Sequence, residues 1–79
     1  MNVVQQYIQL RELQSGQIAK VMSISGDPRE IARVAALGLR TGEVISVTRG
    51  GITCIVQFCN GNRFCLRMSD SLEILVKTI

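Results

Sequence analysis

Three cysteines, Cys54, Cys59 and Cys65, are the side chains most able to do chemistry in this 79-residue chain. An odd number at irregular spacing is no disulfide framework, and reduced thiols are the norm for a cytosolic protein. A closed zinc site wants four ligands, commonly through a Cys-x-x-Cys or histidine spacing, and the sequence has no histidine. Strand alternation puts Cys54 on an inward face, where free cysteine serves as a small hydrophobe. Cys59 and Cys65 share the outward parity and can lie diagonally across a hairpin, so they are the candidate metal ligands. The spacing favours a structural role for all three, and no cofactor is expected.

Catalysis finds little to work with. Without histidine there is no ordinary base to activate a cysteine or serine. Glu12, Asp27, Glu30, Glu43, Asp70 and Glu73 fall in caps, turns and outer positions and form no carboxylate pair. Gly50-Gly51 and Gly61 lack the lysine and hydroxyl residue of a phosphate loop and read as turns. The chain is therefore expected not to be an enzyme.

The basic residues point to binding. Nine basic and six acidic residues leave a net charge of +3, a bias too small to demand nucleic acid. Arg63 and Arg67 project from one side of a strand, with Arg49 near them across the sheet, whereas Arg29 and Arg33 form a solvated helical pair. Small basic barrels that bind single strands stack bases on exposed aromatics. Here Phe58 and Phe64 read as buried, leaving only Tyr7.

These side chains need a scaffold, and 79 residues allow one domain with one modest core. A hydrophobic content of 47% fits a packed globule, and an aromatic content of 4% leaves aliphatic side chains to fill it. No apolar run approaches the roughly 18 residues of a spanning helix. Val3 and Val4 are not preceded by a basic segment or followed by a cleavage pattern, so no secretory signal is expected and the cytosol is the default compartment.

The sharpest local signal is Gly26-Asp27-Pro28-Arg29-Glu30. Asp27 suits an N-cap, Pro28 the first helical position, and Glu30 the reciprocal position of a capping box. Ile31, Val34 and Ala35 then make one apolar stripe. Gly38 ends the helix, with Leu39 folding back on Val34 as a Schellman ending requires. The spacing predicts a helix over about 28–37. Leu37 and Leu39 read as its core staple, with an exposed Leu37 as the alternative.

The rest reads as strand and turn. Strands are expected over 18–24, 43–49, 52–59, 62–68 and 74–76. Asn60-Gly61 marks a hairpin. A two-residue loop there would mix polar and apolar faces; a three-residue loop with Gly61 left-handed joins Cys54, Val56 and Phe58 to Phe64, Leu66 and Met68. Five strands with one helix between the first two suit a small barrel closed by its terminal strands, which hides their edges.

Leu10-x-x-Leu13-x-x-Gly16-x-x-Ala19-x-Val21, Leu37-Gly38-Leu39-Arg40-x-Gly42-x-Val44, Leu66-Arg67 and Ile74-x-Val76 resemble the FeoA domain over about 8–77. The Leu-Gly-Leu-Arg-x-Gly segment is the most specific part. The resemblance implies an SH3-like barrel with a helix between its first two strands. It also implies a cytosolic accessory protein of ferrous iron uptake that binds FeoB, a permease with a cytosolic GTP-binding domain, and tunes its assembly or activity. Leu37, Leu39, Arg40, Arg63 and Arg67 are the expected partner-binding residues, and weak self-association is compatible with the pattern. The alternatives are a small basic nucleic-acid-binding barrel and a detached accessory domain of a metal-dependent repressor. A winged-helix portion is not found, which favours the stand-alone reading.

Overall fold

The computed structural model describes residues 7–79; the expectation drawn from Val3 and Val4 lies outside them. The chain runs through β1 (Ile8–Gln9), a 3-10 turn (Leu10–Glu12), β2 (Ile18–Gly26), α1 (Pro28–Ala36), β3 (Val44–Arg49), β4 (Thr53–Phe58), β5 (Arg63–Arg67) and β6 (Leu72–Thr78). All six strands join one antiparallel sheet in the order β1-β6-β2-β3-β4-β5. The mainly β class with one inserted helix is as expected. The strand count is not, because β1 is only two residues long and carries no alternation to read.

Closure also differs from expectation. β1 and β5 are the two edges of the sheet and do not pair with each other. β1 turns into the 3-10 helix after two residues, too soon to reach β5. The connection to β2 instead crosses the open side. Gly51 N donates to Arg11 O at 3.2 Å, Gly16 N to Val47 O at 2.7 Å, and Val47 N to Gln17 O at 2.9 Å. Gly50 packs so closely on this connection that an added Cβ would sit 1.9 Å from the Leu13 carbonyl oxygen.

Two bulges decide which side chains face the core. In β2, Val21 pairs with Val76 but Ser23 pairs with Leu75, leaving Met22 as the extra residue. Inward parity thereby passes from Ala19 and Val21 to Ile24, which packs on the core beside Ile74. In β3, Val47 pairs with Val56 and Arg49 with Ile55, so Thr48 is the extra residue. Uninterrupted alternation would point Arg49 inward with Ile45 and Val47; the bulge turns it to the outer face, where it is exposed. The core is aliphatic, centred on fully buried Leu10, Val21, Val34, Leu39, Val56 and Ile74.

The β4–β5 hairpin has the three-residue loop. Cys54 pairs with Leu66 and Val56 with Phe64, and Gly61 takes φ +90°. The Asn60 side chain accepts from Asn62 N at 3.0 Å, holding the loop.

Helix α1 has the expected cap but not the expected capping box. Asp27 Oδ1 accepts from Arg29 N at 2.9 Å. The Asp27 N–H, which Glu30 would have satisfied, donates to Ser71 O at 2.7 Å instead. Glu30 is free to pair with Arg33, whose Nη2 lies 2.6 Å away. At the other end Leu39 N donates to Val34 O at 3.0 Å and Gly38 N to Ala35 O at 2.9 Å, the two bonds of a Schellman motif. Gly38 makes this possible at φ +102°.

Substitution should weigh these two ends differently. Gly38→Val places a β-branched residue in the left-handed region, where strain costs about 1–3 kcal/mol, and its Cβ would meet the Phe58 ring at 3.6 Å. Asp27→Ala loses a cap worth about 1 kcal/mol. The urea midpoint should fall further for Gly38→Val; an unchanged midpoint there contradicts the ending described.

Candidate functional site

The helix ending also builds the surface feature with the best claim to function. Reversal at Gly38 separates two leucines that the sequence reads as one staple. Leu39 enters the core at 0% exposure, while Leu37, the residue that caps the helix, stays 48% exposed. Leu39 is therefore unavailable to a partner, which corrects its place among the binding residues. The chain next turns at Arg40-Thr41-Gly42-Glu43. Glu43 N donates to Arg40 O at 3.1 Å, and Gly42 takes φ +96° at the third position, as a type II turn needs. Gly42 N and Glu43 O then bond the two backbone groups of Val21, at 2.8 Å each. Each fixed position of Leu-Gly-Leu-Arg-x-Gly thus has a geometric task, except Arg40, whose exposed side chain is left for solvent or a partner.

Leu37, Gly38, Glu43 and Phe58 line a recess of about 350 Å³, with the β4–β5 loop as its far wall. A second recess of about 320 Å³ shares Phe58 and Cys59 and extends towards Ile18, itself 48% exposed. Together they form one shallow groove along the helix end, the β4–β5 loop and β3. Phe58 and Phe64 are half-buried, not buried as expected, and both pack against the edge of the core. Their ring centroids lie 5.1 Å apart. The apolar faces of Leu37, Ile18 and Phe58, with Glu43 at the rim, can bind another protein's aliphatic side chains.

The arginines are distributed otherwise. Arg63 pairs with Gln57 and Arg67 with Thr53, on the outer face of β5. Arg63 stands at the groove end of the hairpin and Arg67 at the opposite end. Phe58 shares the inward parity of Cys54 and Val56, which ordinarily means core, whereas the alternation that turns Ala19 and Val21 inward already points Ile18 outward.

The thiols are not brought together. Cys65 pairs with Ile55, four positions before Cys59, so the two lie roughly 13 Å apart along the strand. The diagonal juxtaposition fails because Cys59 is the first residue of the three-residue loop. No group of three or more metal-ligating side chains occurs among the described residues. Cys54 is buried and donates to Gly51 O at 2.7 Å. Burial pushes its thiol above the ordinary value of 9.0, and the neighbouring Cys65 adds to the effect. The fold therefore favours neutral Cys54: this contribution to stability is complete below about pH 9 and is lost as pH rises through the higher folded value. At pH 8 iodoacetamide should modify Cys59 and Cys65 in the native protein and Cys54 only after denaturation. Rapid modification of all three thiols contradicts this burial.

The geometry is shared with known proteins. The crystal structure of an iron uptake regulatory protein (FeoA) superposes with a TM-score of 0.80 at 21% identity, covering 94% of this chain and 100% of that one. At that identity the likeness shows the fold, and it supports the SH3-like class. No curated protein matches the chain. The FeoA domain model matches residues 8–78, nearly the span expected from the motifs. The chain belongs to the FeoA domain family.

Proposed function

We propose that this protein is an accessory factor of ferrous iron uptake that binds the cytosolic part of a FeoB-type permease through the Leu37–Phe58 groove. Family membership over residues 8–78 carries the reading, since the FeoA family is linked to iron uptake. The groove supports the mode of action: it is open, it mixes apolar Leu37, Phe58 and Ile18 with polar Glu43, Asn60 and Asn62, and one wall belongs to the family's most specific segment. Leu37 and Phe58 supply the apolar contact, Arg40 and Glu43 the flanking charges, and Arg63 the rim beyond the loop. Among the described residues no helix is long and apolar enough to cross a membrane, so a peripheral contact with the permease fits.

A groove of this size suits a transient interface, with affinity near the micromolar range, or about −8 kcal/mol. Titration calorimetry against the permease's GTP-binding portion should show this. Leu37→Lys should weaken binding at least tenfold with little change in melting temperature, since the side chain is half exposed and a cation suits the C-terminal end of α1. Arg63→Glu should modulate it, and moderate salt should change it little. Absence of permease binding, with tight and salt-sensitive binding to nucleic acid, favours the basic-barrel alternative instead.

A further inference from the structure

The opposite end of the β4–β5 hairpin carries a different kind of surface. Between Glu43 and Asp70 the chain has no acidic residue, yet it holds Arg49, Arg63 and Arg67. The three strands of this stretch are neighbours in the sheet, so the sequence bias gathers three arginines and no acidic residue on them. On its outer side Arg49 pairs with Ile55, Ile55 with Cys65, Thr53 with Arg67 and Gln57 with Arg63. All three arginines are exposed, and none has an ion-pair partner within 4.0 Å among the described residues. Arg49 reaches this face only because of the bulge at Thr48.

The tip of the face is apolar. Ile52 follows the Gly50-Gly51 turn and is 65% exposed, although Met68 N donates to its carbonyl at 2.6 Å and fixes its backbone. Arg67 immediately precedes Met68, and Arg49 opens the same turn. The exposed Ile52 thus lies in the turn after Arg49 and is tied through its backbone to the residue after Arg67, roughly 20 Å along β4 from the groove.

We propose that this end docks on the surface of an anionic lipid bilayer, with Ile52 entering the headgroup layer and Arg49 and Arg67 pairing with lipid phosphates. Charge complementarity selects an anionic occupant. The protruding aliphatic tip selects one with an apolar layer just beneath its charge, which a bilayer has and a nucleic acid does not. Stacking on single-stranded bases would want an aromatic here. One apolar anchor alone binds membranes marginally, and a basic patch beside it supplies the second signal. Each arginine near an anionic surface is worth about fivefold in partitioning. Docking at Ile52 leaves the Leu37–Phe58 groove uncovered.

The test is flotation of the full chain with vesicles of phosphatidylglycerol and phosphatidylcholine in equal parts, against pure phosphatidylcholine. Partitioning should favour the anionic vesicles at least tenfold at ~50 mM salt and fall severalfold at ~200 mM. Arg49→Glu with Arg67→Glu should abolish that preference, and Ile52→Ser should reduce partitioning on anionic vesicles severalfold. Arg29→Glu, on α1, should retain most of the binding. The chain has no tryptophan, so Ile52→Trp reports insertion directly through a blue shift on anionic vesicles alone. Equal partitioning on both vesicles, an equal loss in Arg29→Glu, an unshifted Ile52→Trp spectrum or preferential capture by a single-stranded oligonucleotide would each overturn the proposal. The vesicles contain no permease, so the outcome is independent of the groove's partner.

Discussion

Reversal of the chain at Gly38 is the constraint on which the arrangement depends. A helix ending in a left-handed residue sends the following segment back across its own last turn, and here that segment begins with Leu39. Leu39 reaches the core, the Arg40–Glu43 turn is delivered to the backbone of Val21, and β3 starts in register beside β2. A side chain at residue 38 would oppose the reversal, because φ is +102° there. The same glycine thus sets the fold's middle and leaves the gap in which Leu37 and Phe58 face solvent.

A core with so few aromatics makes such economies necessary. Burying a Leu, Ile or Val side chain contributes about 1.5–3 kcal/mol, against a small domain's large ordering entropy. Every inward position therefore has to be apolar. The bulges at Met22 and Thr48 serve this need by changing parity where the sequence changes character. At Met22 the result is that Ile24 packs against the core. At Thr48 it is an arginine kept out of the core and added to a basic face. Packing and surface chemistry are settled by the same local event, which brings Arg49 to the outer face at the end of the sheet where Arg67 also lies.

Features fixed by neighbours in the chain were legible from sequence. Asp27 and Pro28 marked the helix start, Gly38 its end, and Asn60-Gly61 a hairpin whose register followed from keeping Phe58 and Phe64 on one face. Features fixed by distant contacts were not. The Asp27 N–H finds Ser71, so the capping box implied by Glu30 is not made. β1 exists because Ile8 meets Val76, and the sheet stays open because β1 is too short to meet β5. Cys59 and Cys65 share parity in a strand but not in a loop. Phe58 reads as core by pattern but stays half-buried, because it lies at the rim of the core beside Gly38 and the β4–β5 loop.

In the proposed function the groove made by the Gly38 reversal is the partner-binding surface. Amide-resolved chemical shift mapping of the isotope-labelled chain, titrated with the permease's GTP-binding portion, tests it most directly. Shifts should concentrate at residues 37–43 and 57–62 and at Ile18, with Arg49, Ile52 and Arg67 unmoved. Shifts centred on the β3–β4 tip, with the Leu37–Phe58 groove silent, would contradict the account.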